Sequence, residues 1–246
     1  MNYTAPHAPI NLSEALEARL YTAKSGFTLP YRLFVPEGYT PAHAYPLLVF
    51  LHGAGERGCD NTAQLKHMIS ALFRDTASPI YGAIVICPQC PAGQQWVNTP
   101  WAQGSYVLDN IPESDGLSAV VQLIAAIRGE FAVDEKRIYA MGISMGGFGT
   151  WDLLMRHTEL FAAAVPVCGA ADPSRAESLK NMPIRTFHGL CDAVVPSHGT
   201  AKMATALKAA GCADFAVEYP EEWDHNVWDY VAAKAGLMDW LFAQSR

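Results

Sequence analysis

The stretch YAMGISMGGFGTWDLLMRH, residues 139–157, joins an apolar run to a helical pattern through a serine framed by glycines. Gly142, Ser144 and Gly146 fit the pattern G-x-S-x-G. The apolar run predicts a buried strand, and the spacing of the large apolar residues after it predicts a helix. Glycines at the turn allow strand and helix to approach closely around a strained residue. Two interpretations are a glycine-rich turn with an idle serine and a tight turn that lifts the Ser144 hydroxyl into a cleft. The stretch favours the second.

Working outward, short apolar runs alternate with helical patterns along most of the chain, which is typical of β-α-β units and a mostly parallel sheet. Nearly continuous hydrophobicity in these runs predicts strands covered on both faces. An alternating pattern near the start predicts an antiparallel hairpin at one edge. The predicted strands are 19–24, 29–36, 45–53, 82–88, 137–142, 162–169, 184–189 and 215–221. The fold class is therefore α/β, with a twisted, mostly parallel sheet of about eight strands and helices on both faces.

Helical periodicity predicts helices between these strands, at 62–73, 116–131, 145–157, 198–211 and 226–244. No repeat, linker or change of composition divides the chain, so the sequence predicts one domain over residues 1–246 with no separate lid domain. Residues 89–115 are the exception, because they contain several prolines and no sustained periodicity. A loop of this length in a compact domain is usually functional or disordered. We expect this segment to form a substrate-facing wall, with plain packing as the alternative.

Composition excludes several classes of function. Of the 246 residues, 50% are hydrophobic and 17% are charged, as in a compact globular enzyme. The formal net charge of −7 and the absence of a basic run argue against nucleic-acid binding. No apolar run is long enough for a membrane span, and the first 20 residues lack the pattern of a secretion signal. The expectations are a cytoplasmic protein with a small-molecule ester as its partner, and a homodimer is left open as its oligomeric state.

The cysteines predict neither a disulfide scaffold nor a metal site. Six cysteines are too few for a disulfide framework in a chain of this length. Cys87 and Cys90 form a C-x-x-C, but no second such pair or H-x-x-x-H motif completes a zinc site. Pro91 and Gly93 indicate a loop rather than the helix start of a redox motif. We therefore expect structural thiols and no metal or organic cofactor.

A nucleophilic serine needs a base, and the base needs an acid to orient it. When G-x-S-x-G joins a strand to a helix, the usual chain order is serine, acid, histidine. Among the histidines after Ser144, His225 lies in the loop between the last strand and the last helix, which can return it to the serine. His198 is the runner-up. Asp192, just past a strand end in FHGLCDAVVP, is the favoured acid, and Asp172 is its competitor.

The remaining predicted roles concern the substrate. The N–H group of Met145, which follows the nucleophile, should form one half of an oxyanion hole, and the N–H of Ala54 in FLHGAGERG should form the other. His52 is expected to brace this loop. Glu56 is expected either to brace it, in an ion pair with Arg57, or to contact substrate. A last group of predicted substrate contacts comprises Trp96, Trp101 and Trp228, which would line an acyl or aromatic-acyl pocket.

The combined motifs LHGAGERG, CPQCP, GISMGGFGTWDL, FHGLCDAVVP and DHNVW resemble a known group. It is the putative esterase and "predicted peptidase" group of α/β-hydrolases, related to feruloyl and acetyl-xylan esterases and to the phospholipase/carboxylesterase family. The resemblance spans roughly residues 30–245. It implies an α/β-hydrolase fold, a Ser144–Asp192–His225 triad and hydrolysis of short-chain or aromatic acyl esters, carbohydrate-linked ones among them. The alternatives are a small serine peptidase or amidase of prolyl-oligopeptidase-like type, an acyltransferase and a catalytically silent binding protein.

Overall fold

The computed structural model describes residues 10–246 and contains one eight-stranded sheet. The strands follow the order β1-β2-β4-β3-β5-β6-β7-β8. The first two pairings, β1 with β2 and β2 with β4, are antiparallel, and all the others are parallel. The bounds are β1 Glu17–Thr22, β2 Thr28–Phe34, β3 Tyr45–Leu51, β4 Ile84–Pro88, β5 Val133–Ile143, β6 Ala163–Val167, β7 Ile184–Phe187 and β8 Phe215–Glu218. The predicted mostly parallel sheet with an antiparallel edge is confirmed.

Helices cover both faces of this sheet, as predicted. Their bounds are α1 Leu12–Ala15, α2 Met68–Leu72, α3 Asp115–Glu130, α4 Met145–Arg156, α5 His198–Ala209, α6 Trp228–Ala232 and α7 Leu237–Ala243. One buried cluster packs α3, α4 and α5 on one face, and a second packs α2, α6 and α7 on the other. The central strands lie between the two clusters, which is why their sequences are apolar on both sides. This architecture is the α/β-hydrolase fold.

Two predicted helices are shorter than their periodicity indicated. In the first, predicted over 62–73, only Met68–Leu72 is α-helical, because Asp60 Oδ1 accepts from the N–H groups of Thr62 and Ala63 and closes a separate turn. The second, predicted over 226–244, is interrupted at Gly236, whose φ of 74° is incompatible with a continuous helix. In both, a local turn competes successfully with the apolar spacing.

The segment 89–115 has little regular structure but is firmly attached to the sheet. Its short helical turns are Trp101–Gln103 and Leu108–Asn110. The Leu108 N–H donates to Asp172 Oδ2 at 2.8 Å, and Tyr106 donates to Asp152 Oδ2 at 2.9 Å. These hydrogen bonds hold the segment against the carboxyl end of β6 and against α4.

Within residues 10–246, no helix is both long and apolar enough to cross a bilayer. Residues 1–9, on which the expectation of no secretion signal partly rests, lie outside the described residues.

Candidate active site

Ser144 occupies a strained turn between β5 and α4. Its φ of 54° and ψ of −119° lie outside the regions that L-residues usually adopt. A backbone hydrogen bond from its N–H to the Val167 carbonyl, at 2.9 Å, fixes this geometry against β6. Strain of this kind persists only where the surroundings impose it, and it concentrates at functional sites.

The glycines around the serine are required by close backbone contacts. A Cβ on Gly146 would overlap the carbonyl of Leu51 in β3, and one on Gly147 would overlap the carbonyl of Val167 in β6. A Cβ on Gly142 would overlap the carbonyl of Gly146 itself. The helix therefore approaches its neighbouring strands closely enough to present the Ser144 side chain at the carboxyl edge of the sheet.

Three predicted residues, distant in the chain, form one hydrogen-bonded row at that edge. Ser144 Oγ lies 2.8 Å from His225 Nε2, and His225 Nδ1 lies 2.7 Å from Asp192 Oδ2. An ionised carboxylate can only accept, so Nδ1 carries the imidazole proton and Nε2 accepts from the serine hydroxyl. His225 comes from the loop after β8, and Asp192 from the turn after β7. The arrangement suits removal of the Ser144 proton by His225.

The carboxylate of Asp192 is fully buried but well satisfied. Burial opposes its ionisation, yet hydrogen bonds from His188, His225 and the Val195 N–H outweigh that effect and hold its pKa well below the usual range. The N–H groups of Val194 and Val195 both donate to Oδ1 at 2.8 Å. Asp192 is therefore a fixed negative charge behind the imidazole of His225.

His188 is a contributor to this site that the sequence analysis did not identify. Its side chain is fully buried, and Nε2 lies 3.2 Å from Asp192 Oδ2 and 2.8 Å from the Val195 carbonyl. Both of these oxygens are acceptors, so Nε2 carries a proton. Nδ1 lies 2.7 Å from Thr200 Oγ1 on α5. Asp192 thus has a histidine on each side, and the only sequence signal was that His188 ends a strand four residues before the acid.

The backbone groups predicted for the oxyanion hole begin two helical segments. Met145 is the first residue of α4, and Ala54 is the first of the turn Ala54–Glu56, so neither N–H has an earlier intrahelical acceptor. The loop that carries Ala54 passes close to the serine, since a Cβ built on Gly53 would lie 3.6 Å from Ser144 Cβ.

His52 braces the loop that carries Ala54, as expected. Its Nδ1 donates to the Gly53 carbonyl at 2.6 Å, and its Nε2 accepts from the Cys90 N–H at 2.9 Å. Burial lowers the pKa of His52 to about 4, which keeps the imidazole neutral and suited to one donated and one accepted bond.

The competing acid and base candidates have other partners. Asp172 accepts from the Leu108 and Ser174 N–H groups and caps a turn. His198 is exposed at the start of α5 and contacts the Gln103 carbonyl. His157 pairs with Glu113 at 2.7 Å at the far end of α4. Among the described residues, Asp192 and His225 are the acid and histidine that join Ser144 in one network.

The three tryptophans predicted to contact substrate lie in different environments. Trp96 has no exposed surface, and its Nε1 donates to the His52 carbonyl at 3.1 Å. The prediction that Trp96 contacts substrate is therefore wrong, because the segment 89–115 folds its apolar ring into the core against α4. Trp101 is partly exposed, and Trp228 packs its ring 5.4 Å from that of His225. A role for these two in substrate binding stays a prediction.

Glu56 does not form the expected ion pair with Arg57. The Arg57 guanidinium donates instead to the carbonyls of Ala54 and Gln94. Glu56 is buried, and its Oε1 lies 3.2 Å from His67 Nε2.

The described residues contain one group whose side-chain types and spacing are compatible with metal ligation. It comprises Cys168, Asp192 and His225, whose donor atoms lie within 4.8 Å of one another. The Asp192 and His225 atoms are already hydrogen bonded to each other, and burial raises the pKa of the Cys168 thiol. A thiol must lose its proton to bind a metal, so this group fits a hydrogen-bond network better than a metal centre.

The Cys87 and Cys90 thiols are both buried, and neither forms a disulfide bond. Burial raises the pKa of Cys90 to about 12.

Comparisons with known proteins agree with this fold. A crystal structure of a thermostable esterase matches with a TM-score of 0.82 and 34% identity, over 96% of this chain and 64% of that one. A mutant feruloyl esterase module from Clostridium thermocellum, complexed with sinapinate, has a TM-score of 0.65 at 16% identity, over 98% of this chain and 93% of that one, and shows the fold alone.

Sequence comparison gives the same assignment. A bifunctional acetylxylan esterase/xylanase from Neocallimastix patriciarum is 24% identical over 175 residues, which are 71% of this chain and 23% of that protein. The chain thus spans about a quarter of the length of this relative. The family model described as "Putative esterase" matches residues 26–228, which is most of the chain. The chain therefore belongs to this esterase family of α/β-hydrolases.

Proposed function

We propose that the protein is a serine carboxylic ester hydrolase in which Ser144, His225 and Asp192 act as the catalytic triad. The observation that carries the proposal is the continuous row of hydrogen bonds from the strained Ser144 through His225 to the buried Asp192. Membership of the esterase family supports ester hydrolysis as the reaction.

In the first half of the reaction, Ser144 Oγ attacks the ester carbonyl while His225 Nε2 takes its proton. Asp192 stays ionised, holds the proton on Nδ1 and stabilises the imidazolium that forms. The N–H groups of Met145 and Ala54 donate to the oxygen on which negative charge develops. The alcohol then leaves with the proton from His225, and the acyl group remains on Ser144.

In the second half, His225 takes a proton from water, and the resulting attack releases the carboxylic acid and restores Ser144. The proposed substrates are esters of short-chain or aromatic acids, including carbohydrate-linked ones. Support for this class comes from the acetylxylan esterase relative and from the feruloyl esterase neighbour with its bound sinapinate.

Hydrolysis of p-nitrophenyl acetate, butyrate and octanoate tests the proposal directly. We expect Ser144→Ala to lower kcat on the order of 10⁴-fold or more, because the variant has no nucleophile. Ser178→Ala is a matched control, since that hydroxyl is exposed and donates only to the Arg175 carbonyl. Equal activity in wild type and Ser144→Ala would contradict the proposal. Matched ester and anilide substrates distinguish an esterase from a peptidase of the same triad.

A further inference from the structure

Glu56 carries a buried carboxylate with one unused oxygen. The residue is only 6% exposed, and Oε1 faces His67 Nε2. Among residues 10–246, no side-chain or backbone donor makes a hydrogen bond to Oε2. Oε2 is therefore free to accept a hydrogen bond from a donor outside the chain.

This oxygen lies near the nucleophile. A Cβ built on Gly53 would lie 3.0 Å from Glu56 Oε2 and 3.6 Å from Ser144 Cβ. The space between the Glu56 carboxylate and Ser144 is thus open because Gly53 has no side chain. An ester bound at Ser144 would place its nearest substituents beside Oε2.

His67 holds the other side of the carboxylate and connects it to the triad. It is a non-glycine residue with a φ of 57°, a strained conformation found mostly where function requires it. Its ring centroid lies 5.6 Å from that of Trp228, which in turn lies 5.4 Å from that of His225. Glu56, His67 and Trp228 therefore form a partly polar wall beside Ser144 and His225.

We propose that Glu56 Oε2 accepts a hydrogen bond from a free hydroxyl group of the substrate, located next to the scissile ester. The proposal rests on the esterase function above and makes it specific for hydroxylated esters, such as those of polyols and sugars. His67 lies against Oε1, so Oε2 is the oxygen left for a neutral substrate hydroxyl. A site built to bind a substrate hydroxyl strongly disfavours the analogue that lacks it.

Three small esters test which hydroxyl is recognised. Ethyl acetate has none, 2-hydroxyethyl acetate has one on the alcohol side, and ethyl glycolate has one on the acyl side. Each kcat/KM is divided by the rate constant for hydroxide-catalysed hydrolysis, which removes differences in intrinsic reactivity. We expect wild type to prefer one hydroxylated ester over ethyl acetate by about tenfold or more, the effect of one hydrogen bond to a charged group.

Variants of Glu56 identify the acceptor. In Glu56→Ala the corrected preference should fall to near one, and Glu56→Gln should retain an intermediate value. Glu113→Gln is the matched control, because Glu113 forms the same kind of pair with His157 at the far end of α4. That variant should keep the full preference. Thermal unfolding establishes that each variant is folded at the assay temperature.

Three contrary results distinguish failure of the proposed role of Glu56 from failure of the proposed esterase function. Ser144-dependent hydrolysis of p-nitrophenyl acetate with no hydroxyl preference in wild type would overturn the role of Glu56 and leave the esterase function intact. A preference that survives in Glu56→Ala, with all three esters slowed equally, would show that Glu56 only braces the loop. Hydrolysis that does not depend on Ser144 would overturn both.

Discussion

His188 and His225 share one acceptor, Oδ2 of Asp192, although only His225 reaches the serine. A proton on His188 Nε2 opposes rotation of this oxygen away from His225, because both imidazoles attract the same carboxylate oxygen. His188 is itself held by Thr200, whose Oγ1 lies 2.7 Å from His188 Nδ1 and 2.9 Å from the Gly169 carbonyl oxygen. At the scale of single residues, the acid is thus oriented from both sides, and His188 is a positioning residue.

Replacement of His188 tests this role. We expect His188→Leu to lower kcat about tenfold with little change in KM, because one bond to a charged group is lost and Asp192 can rotate away from His225. His188→Gln keeps a side-chain N–H and should recover part of the activity. Steady-state kinetics on p-nitrophenyl acetate measure both. An equal loss in the two variants, matched by a fall in Tm, would indicate a purely structural role.

The segment 89–115 is the element that sequence patterns described least well. Its core is Trp96, whose carbonyl also accepts from Ser114 Oγ at 2.7 Å where α3 begins. The Trp96 ring packs against that of His52, with centroids 5.3 Å apart. This element therefore supports the oxyanion loop through Trp96, while Trp101 lies nearer to solvent.

Alanine substitutions should distinguish these two tryptophans. Trp96→Ala is expected to lower the free energy of unfolding by about 3–5 kcal/mol, as removal of a fully buried aromatic side chain does. Trp101→Ala, which removes a partly exposed ring, should cost clearly less. Urea denaturation measures both. Comparable losses would mean that the segment is held equally at both positions.

On the scale of the whole molecule, a buried neutral histidine makes stability depend on pH. The pKa of His52 is about 4 in the folded protein, below the ordinary value of 6.5. The unfolded chain therefore binds the proton first as the pH falls, which favours unfolding. Its contribution is constant above about pH 6.5 and becomes unfavourable down to about pH 4.

Denaturation at several pH values tests this. We expect the free energy of unfolding to fall by about 3 kcal/mol between pH 6.5 and 4 on account of His52. His157, whose pKa is raised by its hydrogen bond to Glu113, acts in the opposite sense. The comparison is therefore made with His52→Gln, which should have a smaller slope. Identical slopes in the two proteins would exclude His52 as the cause.

Much of the fold was predictable because its signals are local. Apolar runs, helical spacing and G-x-S-x-G are each contained in one short stretch, and the order of Ser144, Asp192 and His225 places all three at strand ends on the same edge of a parallel sheet. The shortened helices were not predictable from periodicity alone, since Gly236 and the Asp60 turn interrupt patterns that remain apolar.

The sequence by itself determined the α/β-hydrolase fold and the residues at the strand ends, because these depend on local patterning and chain order. Its combined motifs also carried the resemblance to the esterase family. Only the tertiary structure decided which side chains lie against them. His188 behind Asp192, Trp96 inside the core and Glu56 beside Ser144 result from contacts between distant segments. Such contacts depend on how the sheet and the loops pack in three dimensions. The spacing of residues along the chain does not show which distant side chains will meet.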